Sequence, residues 1–139
     1  MEESKFLSLI SNLSEVAKKD NWQPLYNKEL DAFYWTKPQI SADAKLTQFL
    51  EDFSLYITSD EKVEGLFIEY AVHNFNAHNQ GYQPLFDAMT KKVNQSTFTV
   101  PKNKEKEIGF LLNNMADKVA RETLQVVASG LQFDKVLSH

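Results

Sequence analysis

The stretch from Asp52 to Tyr70, DFSLYITSDEKVEGLFIEY, constrains this chain more than any other, because it reads as two β-strands around a polar turn. Phe53, Leu55 and Ile57 alternate with Ser54, Tyr56 and Thr58, the period of two of a strand with one buried face. Thr58 to Lys62 makes the turn. In the second strand, Val63, Leu66, Phe67, Ile68 and Tyr70 put apolar groups on both faces. A strand covered on both sides is central in its sheet, or one of its faces meets another subunit. On the N-terminal side, Tyr26 to Trp35 (YNKELDAFYW) offers a short strand entering a turn and then an aromatic strand running to Thr36.

Everything else reads as helix or connection. Phe6, Leu9, Ile10, Leu13, Val16 and Ala17 fall on one stripe of a helix over 2–19, with Glu2 and Glu3 in the first turn and Lys18 and Lys19 in the last. Residues 41–50 read as a loop with one helical turn. The pattern turns helical again from about Glu69 or Ala71, runs to Asn79 and breaks at Gly81. A second helix then begins with Pro84 in its first turn, carrying Tyr82, Leu85, Phe86, Met89 and Val93 on one face. The connection that follows holds a β-prone run, Thr97 to Val100. The longest helix spans 104–129, with Ser129-Gly130 as its end and a short terminal turn over 131–137. Leu112, Met115, Val119, Thr123 and Val126 form one apolar stripe on it, and Ala116, Ala120, Leu124, Val127 and Leu131 form a second. The combined face is wider than packing on one neighbour requires.

The predicted architecture is one α+β domain over residues 1–139: a small antiparallel three- to four-stranded meander, with an N-terminal helix and two or three C-terminal helices packed on it. A chain of 139 residues buries enough surface to fold without a metal or disulfide. Thirteen of the 17 aromatic residues lie between Trp22 and Phe86, so the densest packing is expected there.

Composition excludes several function classes. Cysteine is absent, which removes a disulfide scaffold, a thiol nucleophile and a thiolate zinc site. The N-terminal segment mixes acidic and polar residues into its apolar ones, unlike a signal peptide, and no apolar run approaches a transmembrane length. The two glycosylation sequons, at Asn12 and Asn94, carry no meaning without secretion. A cytoplasmic bacterial protein is the default expectation. The net charge of −4 conceals −7 over residues 1–90 and +4 over residues 91–106. A net-acidic surface argues against non-specific nucleic-acid binding, and the lysines at 91, 92, 102, 104 and 106 include no arginine among them.

Chemistry has few places to reside. Glu69 and His73 would stand one helical turn apart and could share a proton or a metal, but His73 and His78 are five residues apart rather than the four of two-histidine zinc helices. A capping or salt-bridged Glu69 with a half-buried, packed His73 explains that segment better. Asp31, Asp52, Asp60, Glu61 and Glu64 gather near strand ends, where carboxylates commonly satisfy backbone or lysine. The aromatic set could line a small-molecule pocket with Tyr34, Trp35, Tyr56, Tyr70 and His73 as its ligand-binding residues, Tyr34, Tyr56 and His73 supplying the polar groups. Aromatic residues at strand spacing more often form core. The four glycines are isolated and form no phosphate loop, so no enzyme class, cofactor or metal is implied.

The segment Tyr26-Asn27-Lys28-Glu29-Leu30-Asp31-Ala32-Phe33-Tyr34-Trp35 resembles a small bacterial family of domains of unknown function, whose members read Y-D-x-E-A-D-A-L-Y-I followed by a hairpin ending V-x-G-I-E. Asp52 to Gly65 follows the second block, with Val63-Glu64-Gly65 in place. The turn lacks the family's glycine, and the acid after Gly65 falls at Glu69. The resemblance covers some 45 residues and implies an antiparallel meander, with no assigned chemistry. The expected role is a non-enzymatic interaction or regulatory protein acting as a homodimer or with another protein, with no membrane or nucleic-acid partner. The alternative is a small-molecule binding domain using the aromatic pocket.

Overall fold

The computed structural model describes residues 2–90, 97–98 and 102–128. Its class is α+β, as the sequence predicts, but the sheet is larger. Five antiparallel strands, β1 (Gln23–Asn27), β2 (Ala32–Thr36), β3 (Lys45–Gln48), β4 (Ser54–Ile57) and β5 (Val63–Glu69), are joined at β1 by a two-residue strand, β6 (Thr97–Phe98). The order across the sheet is β3-β4-β5-β2-β1-β6. It is therefore not one continuous meander: a β1–β2 hairpin and a β3–β4–β5 meander meet where β5 pairs with β2. The strand that is apolar on both faces lies inside the sheet, as predicted.

β3 is the addition the sequence does not announce. Residues 41–50 read as a loop with a helical turn, yet Lys45 to Gln48 pair with Ile57 to Ser54. Their burial barely alternates, because β3 is an edge strand whose geometry comes from β4 rather than from its own pattern. Phe49 anchors it, buried with its ring 5.5 Å from that of Phe6. A second difference is at the N-terminus, where the predicted single helix is two: α1 (Glu3–Ser11) and α2 (Leu13–Lys19). Ser11 Oγ donates to the Leu7 carbonyl and Asn12 Nδ2 to the Ser8 carbonyl, so local side chains bind the backbone where the helix breaks.

The helices collect on one face of the sheet. Phe6, Ile10, Leu13 and Ala17 are buried at helical spacing, as predicted. Beyond β5 come a π-helical turn (Ala71–Phe75), a single α-turn α3 (Asn76–His78), α4 (Gln83–Thr90) and the long α5 (Glu105–Ala128). α5 packs along α1 and α2 and against α4. Its wide apolar face is largely consumed within the chain: Ile108, Leu111, Leu112, Met115, Ala116 and Val119 are buried, while Leu124 stays exposed. The expected helix end at Gly130 and the terminal turn lie outside the described residues, as do Lys91 and Lys92.

Most of the aromatic set closes into core. Trp22 and Trp35 meet edge to face at 5.3 Å, and Phe75 contacts Phe53 at 5.4 Å and Tyr82 at 5.5 Å. Phe86 lies 5.7 Å from Phe33 beneath the sheet. Such pairs add to the burial of large rings and fix their orientation.

Candidate functional site

Two places on the molecule carry unusual chemistry. The first is built on Asp31, in the β1–β2 turn. Its φ of 50° is left-handed, and so is the φ of 53° at Tyr70, just past the end of β5. β2 and β5 are in register with Ala32 opposite Glu69, so these two residues adjoin at the end of one ladder. The helical turn after Tyr70 has no capping side chain of its own. Its free amides need acceptors, and Asp31 supplies them from 40 residues upstream. The Asp31 carbonyl accepts from Ala71 N–H at 2.9 Å. Its Oδ1 accepts from Val72 N–H at 2.9 Å and from the Tyr26 hydroxyl at 2.6 Å. Its Oδ2 accepts from His73 N–H at 3.1 Å and from His73 Nδ1 at 2.6 Å.

Burial raises the proton affinity of the Asp31 carboxyl, but these donors outweigh it and hold the group below the usual carboxylate range. Burial first, then the Asp31 hydrogen bond and charge, push the Tyr26 phenol well above its usual range, so it remains a donor. An ionised carboxylate can only accept, which makes Nδ1 of His73 the protonated nitrogen and leaves the Nε2 lone pair free in the neutral ring. The His73 side chain is 81% exposed while that of Asp31 is 10% exposed. The arrangement is an imidazole on open surface, aimed from below by a buried carboxylate.

The second place is the face of the sheet opposite the helices. Alternation puts Leu25, Tyr34, Thr36, Tyr56, Gly65 and Phe67 there, and the register aligns Leu25 with Tyr34, Tyr34 with Phe67, and Tyr56 with Gly65. Tyr34 and Phe67 rings lie 5.1 Å apart. All the large side chains of this row are only partly buried, and Leu46, opposite Tyr56 on β3, is 46% exposed. Gly65 is required at the centre. A Cβ there would meet Thr36 Cγ2 at 2.4 Å, Thr36 Cβ at 2.8 Å and Thr36 Cα at 3.0 Å. Burial, with a smaller contribution from Tyr34, raises the Tyr56 phenol, so that hydroxyl stays neutral on this face at ordinary pH.

The residues expected to share one pocket are therefore divided. Tyr34 and Tyr56 lie on the uncovered face, whereas Trp35, their strand neighbour, is in the core against Trp22. Tyr70 and His73 belong to the Asp31 turn. Glu69 does not reach His73 across a helical turn, because Glu69 is still in β5 and the left-handed Tyr70 separates the two elements. The partner of His73 is Asp31, which the sequence places among several carboxylates without singling out. The available signal is a helix start with no Ser, Thr, Asp or Asn to cap it, a demand that some other segment has to meet.

The other carboxylates are structural. Glu64, buried in β5, accepts from Ser41 N–H and Ser41 Oγ, each at 2.7 Å, and from Lys37 Nζ at 3.3 Å, tying the β2–β3 connection to the sheet. Asp60 accepts from the Thr58 hydroxyl within the β4–β5 turn, and Asp52 accepts from Asn74 at 3.1 Å. A cleft of about 320 Å³ is lined by Leu50 to Phe53 together with Glu122, Gln125 and Val126, none of them among the expected ligand residues. Among the described residues no group of three or more His, Asp or Glu is placed to hold a metal ion, and no helix is long and apolar enough to cross a membrane.

No family model, curated protein or solved structure matches the chain.

Proposed function

We propose that the protein is a non-enzymatic interaction module of the bacterial cytoplasm that associates as a homodimer through the uncovered face of its sheet. The observation that carries this reading is a patch made by two adjacent rows on the side away from the helices, Leu25–Tyr34–Phe67–Ser54 and Thr36–Gly65–Tyr56–Leu46, whose large side chains are apolar or aromatic and come from all five strands. The face has the composition of an interface core: aromatic at its centre, free of charge, with the polar Gln23, Asn27, Gln48 and Glu69 around it. With Glu69 at the rim, the charge-free centre can meet its own copy across a two-fold axis without like-charge repulsion there, even in a molecule of net charge −4. The predicted resemblance to domains of unknown function fits a role without its own chemistry. Two polar positions of that pattern, Tyr26 and Asp31, are here hydrogen-bonded to each other.

The test is light scattering across micromolar concentrations, paired with thermal melts. A dimer is expected, with a melting temperature that rises with protein concentration because association stabilises only the folded state. Replacing Tyr34 and Phe67 together by Ser should give a folded monomer whose melting temperature no longer depends on concentration. A wild-type protein that is monomeric throughout the range overturns the reading.

A further inference from the structure

The Asp31–His73 pair is more than the helix cap requires. Val72 and His73 amides already satisfy the carboxylate's capping role, and any residue but proline at position 73 would provide that amide. The additional 2.6 Å bond from Nδ1 fixes the ring and its tautomer while the ring stays on open surface. Leu30, beside Asp31 in the β1–β2 turn, and Tyr70, just past the end of β5, are 62% and 57% exposed. The cleft at Leu50–Phe53 is lined by other residues, so this imidazole does not serve a small-molecule pocket there. The open setting of the ring suits a group brought by a partner that docks on the surface.

We propose that His73 is a phosphoryl-acceptor site, taking its phosphoryl group from a phosphoramidate or acyl phosphate carried by a protein that approaches across Leu30 and Tyr70. The Nε2 lone pair attacks phosphorus and the N–P bond forms. The donor's P–N or P–O bond breaks, and the leaving group departs with that electron pair. The Nδ1 proton stays on the ring, which becomes cationic, and the Asp31 carboxylate beneath it neutralises the new charge as a buried aspartate does for an imidazolium. The phosphorylated ring then presents a dianionic group on a surface that was neutral at that point, a change able to alter docking.

His78 provides a comparator within the same chain. It is also exposed and its Nδ1 bonds to the Asn74 carbonyl at 2.9 Å, so its Nε2 is equally free but has no carboxylate behind it. The full chain is treated with potassium phosphoramidate, and each histidine-bearing peptide is followed by mass spectrometry under alkaline conditions that preserve the N–P bond. His73 is expected to be phosphorylated about tenfold faster than His78, the size of effect a carboxylate partner has on histidine chemistry. In Asp31→Asn, shown folded by circular dichroism, the His73 rate should fall to that of His78 while His78 is unchanged. If Asp31→Asn does not fold, the wild-type ratio alone decides. Equal rates at His73 and His78 in the wild type, or an undiminished His73 rate in folded Asp31→Asn, overturns the proposal.

Discussion

Asp31 concentrates more dependence on one side chain than any other residue described. It closes a left-handed turn, caps a helix and holds two side chains, so removing it leaves donors from two segments, Tyr26 on β1 and Val72–His73 after β5, without an acceptor. Asp31→Ala should lower stability by about 2–4 kcal/mol, read as a shift of the urea midpoint at unchanged slope. The carboxylate also makes stability depend on pH in a defined direction. Asp31 and Glu64 both lie below the usual range, since hydrogen bonds overcome the opposing effect of burial. A depressed folded-state pKa contributes stability that is complete above the unfolded value, about 4, and is lost as pH falls through the folded value. Unfolding free energy should therefore be level near neutrality and decline below about pH 4. The acid decline should be shallower in Asp31→Asn and in Glu64→Gln, each compared with its own neutral-pH stability.

At the scale of elements, β5 depends on Gly65 in a way that conformational freedom does not explain. The space for a side chain is already occupied by Thr36, including its backbone. Gly65→Ala should cost about 1–3 kcal/mol through overpacking. Thr36→Ala should restore only part of that loss, because the contacts with Thr36 Cβ and Cα remain. Thermal melts of the two single variants and the double variant check both statements. The sequence reveals β4, β5 and the aromatic β2 because each has its own burial pattern, and β5 reads as interior because both its faces are apolar. β3 is hidden for the opposite reason: its pairing with β4 is non-local and its own residues stay exposed. The break between α1 and α2 was equally hidden, since the apolar stripe continues straight through Asn12. Of the candidate site, Tyr34, Tyr56, Tyr70 and His73 were legible as residue types. Their separation into two places depends on the left-handed Tyr70, which turns the chain out of β5 and which periodicity does not report.

For the whole molecule, the consequence of the strand order is one of timing. β1–β2 can close as a local hairpin, and β3–β4–β5 as a local meander, but the link between β2 and β3 carries the chain from the middle of the sheet to its far edge. The two units can join only when β5 reaches β2, a contact of long sequence separation and so a slow one to form. Asp31 spans that seam, binding the amides of Val72 and His73 from the first unit to the second. Those two amides should therefore act as a clock for assembly. In pulse-labelled refolding they are expected to gain protection with the last phase, after amides internal to either hairpin. In the native state they should exchange only as fast as the seam opens. Early protection of Val72 and His73 would show instead that the strand–helix joint forms before the sheet is whole.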